Sequence, residues 1–208
     1  AGGGVMDMVL ASIPFQEVQG QSISSVLNTL TLGSDYDQVS TRNASTGGWL
    51  SYVGDARFDQ FTTLESCGTY EIYVTNPSGV TFTLTGNTPA TRPVKNLIAG
   101  WNLIPSPVLA DTPVSQALAG LTAGTDYDDL VRYDPVTRTW GPVTTVKPGQ
   151  AYWIHMLVAK SWEVPTPFGT TTTTTTFAYD GDGGRVKVTE GTNTQTFIGE
   201  LYETQSGG

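Results

Sequence analysis

The sequence predicts a mainly β protein: a β-rich α+β fold of two tandem repeated small modules, each with one short helix, followed by a C-terminal β-hairpin. Three observations carry that expectation. Charged residues make up only 14% of the 208 residues, against roughly 25% in ordinary soluble domains; threonine, glycine, serine and asparagine fill the polar positions. Threonine is β-branched and suits a pleated, half-buried surface. The chain also matches itself. A shift of 91 positions places Leu27 on Leu118, Leu30 on Leu121, Gly33 on Gly124, Asp35-Tyr36-Asp37 on Asp126-Tyr127-Asp128 and Trp49 on Trp140. After a nine-residue insertion in the first copy, Thr63 falls on Thr145, Tyr70 on Tyr152 and Ile72 on Ile154. Shared residues at one offset mark a structural unit used twice. Turn signals at Gly47-Gly48, Asn76 to Gly79, Gly141-Pro142 and Pro148-Gly149 separate the strand-like runs.

Taken in order, residues 1–20 carry a short apolar segment ended by Pro14, an N-terminal arm or edge strand that pairs elsewhere. Module 1 spans 21–88. Ile23, Val26, Leu27 and Leu30 recur at helical spacing, with Ser22 as N-cap and Gly33 as the stop, so the spacing predicts a helix of two to three turns. Strands follow over 37–43, 49–53 and 69–75, and again over 80–86, where Val80, Phe82 and Leu84 face one side and Thr81, Thr83 and Thr85 the other. Residues 89–96 are a linker with Pro89 and Pro93. Module 2 spans 97–166, with a helix over 114–121 and strands at 128–134, 140–144, 151–157 and 161–165. The stretch 167–176 holds seven threonines and reads as a spacer or extended strand, an O-glycosylated stalk, or a strand that adds to a sheet edge in this or another molecule. Residues 177–208 form a hairpin of two strands, 185–190 and 195–203.

The formal net charge of -9 argues against nucleic acid and anionic lipid as partners. No apolar run of about 20 residues is present, so no membrane insertion by a helix is expected. The N-terminal residues lack the charged segment of a signal peptide. A single cysteine, Cys67, leaves no intrachain disulfide.

Candidate site residues are few, and no catalytic or cofactor-binding set is legible. His155, the one histidine, stands on a strand opposite Tyr152, Ile154 and Met156, with nothing to place an acid and a nucleophile beside it. Acidic clusters occur at 35–37, 126–129 and 180–182. Asp180 and Asp182 alternate with glycine as in a calcium loop, which makes Ca²⁺ the one candidate metal; the bland alternative is turn formation. Trp49, Tyr70, Trp140 and Tyr152 recur at the repeat offset and are expected as the core signature. Trp153 and Trp162 are the candidate sugar contacts, since flat rings stack on pyranoses. Asn43-Ala44-Ser45 fits the N-glycosylation acceptor pattern.

Tyr179-Asp180, Gly183-Gly184-Arg185-Val186 and Thr189 resemble the YD…GR…T pattern of the YD-repeat (Rhs) family over about thirty residues. That resemblance implies a large secreted or cell-surface protein whose repeats build a β-shell; one repeat cannot close a shell. The two modules resemble a repeat of bacterial surface proteins, carried here by Gly100-Trp101-Asn102-Leu103-Ile104, the Tyr-Asp pair, the tryptophan, and Lys147-Pro148-Gly149-Gln150-Ala151-Tyr152-Trp153-Ile154. The first copy departs from it at Ser66-Cys67 and Glu71. The resulting expectation is a non-enzymatic, extracellular structural or adhesive protein. It would assemble with copies of itself through strand addition by its terminal segments. The alternative is a carbohydrate- or calcium-binding module of a larger secreted protein, with glycans or other surface proteins as partners.

Overall fold

Two four-stranded antiparallel sheets of matching topology form the two modules. The first contains β1 (Asp7–Ile13), β2 (Tyr36–Arg42), β3 (Trp49–Tyr52) and β4 (Gly68–Val74) in the order β1-β4-β2-β3. Between it and the second sheet lie β5 (Thr81–Asn87) and β6 (Val94–Leu97). The second module adds β7 (Gly100–Pro105), β8 (Thr112–Pro113), β9 (Tyr127–Asp134), β10 (Thr139–Pro142), β11 (Thr145–Val146), β12 (Ala151–Met156) and β13 (Lys160–Glu163). Its main sheet has the order β10-β9-β12-β7. The computed structural model describes residues 7–13, 15–87, 89, 91–108, 110–134, 139–165, 172–179, 185–190, 193–198 and 202–206.

The repeat holds at the level of single contacts. Ala11 lies opposite Tyr70 in the first sheet, and Ile104 opposite Tyr152 in the second. The N-terminal segment is therefore an edge strand, in the place that β7 takes in the second copy. Ser22 bridges Thr63, and its counterpart Pro113 pairs with Thr145. Gly33, at φ +86°, donates its N–H to the Tyr36 carbonyl; Gly124, at φ +77°, does the same to Tyr127. Cys67 takes the place of Gly149, and both keep positive φ, +53° and +67°. The backbone turn thus persists after glycine has been replaced, and a bond from the Cys67 N–H to the Ile13 carbonyl helps hold it.

The helices are shorter than expected. α1 (Ile23–Val26) and α2 (Val114–Ala117) are single turns. Ser22 does cap α1, accepting the Ser25 N–H at 3.2 Å. Beyond Leu27 the residues Asn28, Thr29 and Thr31 favour local side-chain bonding over helix. Asp35 captures the Thr31 N–H at 2.8 Å and ends the segment as a turn. The 89–96 linker is also structured at its end. β6 pairs with β13, placing Lys95 opposite Trp162.

Within the threonine-rich tract, the described residues 172–176 belong to a strand. β14 (Thr172–Tyr179) pairs antiparallel with β5, Thr174 opposite Thr85, and begins a five-stranded sheet with β15 (Arg185–Glu190), β16 (Asn193–Ile198) and β17 (Tyr202–Ser206). The described part of the tract thus adds as a strand to a sheet edge of its own molecule. The tail is a meander. Ile198 lies opposite Tyr202, so the run expected as one strand over 195–203 folds back on itself. The far side of β5 meets the single 3₁₀ turn Gln16–Val18. There Glu17 accepts the Asn87 N–H at 2.8 Å and the Asn87 side-chain amide at 2.6 Å. Gly86 is needed at that contact, because a Cβ would overlap the Glu17 carboxylate and Phe15.

Each module has its own apolar core. The first gathers Ile13, Phe15, Ile23, Leu27, Tyr70, Ile72 and Phe82; the second gathers Ile104, Leu118, Tyr152, Ile154, Met156 and Trp162. Tyr70 and Tyr152 are core residues, as expected, and they do the same work. The Glu65 N–H donates to the Tyr70 hydroxyl at 2.7 Å, and the Lys147 N–H to the Tyr152 hydroxyl at 2.6 Å. Each tyrosine fills its core and ties down the turn that precedes its own strand.

The modules touch. The Ser12 N–H donates to the Gly149 carbonyl at 3.0 Å, Ala11 bridges Gln150, and β4 packs against β7. No helix among the described residues is long and apolar enough to cross a membrane.

Candidate functional site

Strand alternation gives each main sheet a core face and a second face. On β12 the core takes Tyr152, Ile154 and Met156, leaving Trp153 and His155 on the second face. Cross-strand register places Leu103 and Val131 beside Trp153, and Trp101 and Asp129 beside His155. Trp140 lies opposite Tyr133 on the same face. The register thus assembles Trp101, Trp140 and Trp153 on one side of the second sheet. Together with Val131, Asp129 and Arg42 of the first module they line a shallow groove of about 490 Å³.

Trp49 joins from the first module. Its ring meets Trp153 edge to face, centroids 5.9 Å apart, a preferred geometry for aromatic pairs. The Arg42 guanidinium sits over both rings, 5.6 Å from the Trp49 centroid and 5.3 Å from that of Trp153. The ring contacts continue outward, with Tyr133 to Trp140 at 5.3 Å and Trp101 to His155 at 5.0 Å. His155 Nδ1 is in turn 2.6 Å from the Asp128 carboxylate. Four of the five tryptophans therefore meet where the modules join.

This corrects three assignments. Trp49 and Trp140, expected in the core, are 39% and 48% exposed. They stand on the outer strands β3 and β10, where the side chain points away from the core. Their recurrence marks a repeated surface position. Trp162, expected as a sugar contact, is 1% exposed. β13 lies against β6 over the second core, and the Trp162 indole N–H donates to the Ala119 carbonyl at 3.1 Å. Trp153 does belong to the groove.

The same face of the first module has different chemistry at equivalent positions. Gln38, Ser40, Arg42, Glu71 and Tyr73 stand where the second module has Asp129, Val131, Tyr133, Trp153 and His155. Gln38 donates to Ser40 at 2.6 Å and to Ser51 at 3.3 Å, and the Tyr73 hydroxyl donates to Glu71 at 3.2 Å. Ser12, Ser40 and Glu71 are buried, on the side where β1 and β4 meet β7 and β12. Burial pushes the Glu71 carboxyl up to about 7, against the opposing pull of the Tyr73 bond and the Arg42 charge. One face has become a polar junction and the other an aromatic shelf.

A second cleft, of about 370 Å³, adjoins the groove and shares Arg42 and Trp101 with it. Lys95 and Asn96 of β6 and Asn102 of β7 line it together with Asn43 and Glu65 of the first module. Asn102, from the Gly-Trp-Asn signature, has a structural task. It accepts the Ile98 N–H at 3.0 Å and donates to the Ile98 and Gly100 carbonyls, closing the turn that presents Trp101.

The acidic clusters within the described residues hold turns. Asp126 accepts the Thr122 N–H at 2.8 Å, as Asp35 does that of Thr31. The Lys160 ammonium and the Thr122 N–H hold Asp126 below the usual carboxylate range; the Thr31 N–H and the Asn76 amide do so for Asp35. No group of three metal-ligating side chains occurs among the described residues. Asp180 and Asp182 lie outside them. Asn43 accepts the Ser45 N–H at 2.9 Å and the Thr46 N–H at 3.1 Å, closing the β2–β3 turn.

Sequence reasoning weighed Trp101 with the other tryptophans as a sugar platform without assigning it, and missed Arg42 as a site residue. The signal for Trp101 was its alternation against Asn102 and Ile104. No signal marked Arg42, whose partner Trp153 lies 111 positions away. No protein-family model matches the chain, and no curated protein or solved structure matches it either.

Proposed function

We propose that the protein is a non-enzymatic, extracellular adhesive protein that recognises saccharide on the aromatic shelf at the junction of its two modules. The observation that carries this reading is the meeting of Trp101, Trp140 and Trp153 on one exposed groove, with Trp49 set edge to face against Trp153. Isolated exposed apolar side chains need no explanation, but a contiguous aromatic surface beside polar groups marks a ligand site. Flat, rigid rings offer the apolar face of a pyranose a large contact with little side-chain entropy to lose. The resemblance of Tyr179-Asp180 and Gly184-Arg185 to the YD-repeat pattern supports a cell-surface setting. The direct test is a glycan array on the full chain, followed by titration of the best oligosaccharide. Wild type is expected to bind, with quenched tryptophan emission, while Trp140→Ala and Trp153→Ala lose binding and keep the wild-type melting profile. Absence of binding across the array would refute the reading.

Assembly with copies of itself remains as a second proposal, on a narrower basis. β1, β14 and the tail strands are already paired within the chain. β17, last in its sheet, is the tail edge to which a strand of another molecule could add.

A further inference from the structure

Arg42 is the unusual member of the junction. Its guanidinium lies against the Trp49 and Trp153 rings, yet its Nε is buried with no hydrogen-bond partner. Among the described residues its side chain forms neither an ion pair nor a hydrogen bond. A buried donor without a partner costs about 1–3 kcal/mol, so folded proteins rarely leave one unless something else completes it. The planar fork of arginine matches a carboxylate in two-point fashion. Flanked by aromatic rings, that fork is also held in one orientation.

Arg42 stands on the wall shared by the aromatic groove and the adjoining cleft, where Lys95 supplies a second cation. Lys95 is 3.9 Å from Glu65, an exposed pair of little strength. Asp129, also in the groove, is exposed and lies opposite His155 only in backbone register, the His155 ring being paired with Asp128. Burial favours the neutral form of the Glu71 carboxyl, against the pull of the Arg42 charge. At physiological ionic strength the screening length is about 8 Å, so the remaining negative charge of the chain bears weakly on a group docked at Arg42.

We propose that the saccharide bound at this junction is acidic: a uronic-acid residue stacks its ring on the tryptophan shelf and presents its carboxylate to the Arg42 guanidinium. This rests on the saccharide reading above and narrows it to a class. It also makes the site a property of the pair of modules, since Arg42 and Trp49 come from one and Trp101, Trp140 and Trp153 from the other. The second module, whose equivalent of Arg42 is Tyr133, lacks the cation on its own.

The test uses the full chain and matched pairs of oligosaccharides, each uronate-containing member set against the same sugar with its carboxyls reduced to primary alcohols. Calorimetry is expected to give at least about tenfold tighter binding to the acidic member, the scale of one charged hydrogen-bonded contact. Arg42→Gln is expected to erase that preference, bringing the affinity for the acidic member down to that for its reduced partner. Equal affinity for both members would overturn the assignment and leave saccharide recognition standing. Binding to neither member of any pair would overturn both. A loss of all binding by Arg42→Gln, together with a lower melting temperature, would make Arg42 a clamp between the modules and overturn the proposal as well.

Discussion

Glu71→Gln tests whether the module junction carries a buried carboxyl whose ionisation opposes folding. Glu71 is 4% exposed on the second face of the first sheet, and its carboxyl moves from 4.5 to about 7 on folding. Between these values the folded chain binds the proton that the unfolded chain releases. Stability must then fall as pH rises through the window from about 4.5 to 7 and level off above it. At 1.36 kcal/mol per pH unit the difference corresponds to about 3 kcal/mol, reduced to about 2 kcal/mol by the solvent that still reaches the group. Glutamine keeps an acceptor for the Tyr73 hydroxyl and removes the ionisation. Urea unfolding at pH 5, 6, 7 and 8, followed by tryptophan emission, should show wild type losing about 2 kcal/mol more than Glu71→Gln across the series. That corresponds to a midpoint difference of roughly 1 M. Parallel pH profiles for the two proteins would refute the reasoning, because a Glu71 that ionises freely in the folded state leaves nothing for the substitution to relieve.

The repeated tyrosines and tryptophans give two further expectations. Tyr70→Phe and Tyr152→Phe each remove the acceptor of a turn N–H and should lower stability by about 1–2 kcal/mol apiece. The larger loss is expected at Tyr152, whose hydroxyl also donates to Gln150 at 2.7 Å; calorimetric melting of the two variants, with unchanged stability as the contrary result, decides this. Trp162→Ala should lower stability by about 3–5 kcal/mol through a core cavity, whereas Trp140→Ala should change it by less than about 1 kcal/mol. Equal losses would return Trp140 to the core.

The two modules show how one backbone carries two surfaces. The positions that fix the fold repeat in chemistry: the turn glycines 33 and 124, the capping carboxylates Asp35 and Asp126, and the core tyrosines Tyr70 and Tyr152. Positions on the second face differ at almost every point, Glu71 against Trp153 most of all. The first face lies against the neighbouring module and carries a polar network. The second is left half open and carries rings.

Much of this was legible in the sequence. The repeat offset announced two sheets of one topology. Alternation along β12 separated Tyr152, Ile154 and Met156 from Trp153 and His155, and the Ser22 cap and the Asp35 and Asp126 turns followed from local chemistry that acts within a few residues. Burial of the tryptophans was not legible. Periodicity assigns a side chain to one face of its own strand, but whether that face is covered depends on elements that approach from far along the chain. Trp162 is buried because β13 returns to β6 over the second core. Trp49 and Trp140 stay exposed because their faces lie at the open margin of the module junction. β5 finds its partner β14 only after the whole second module has been laid down. The sequence by itself determined which units repeat and which side chains share a face. The tertiary structure decided which faces meet, and so where four tryptophans and an arginine come together, because packing between distant segments leaves no periodic trace in either of them.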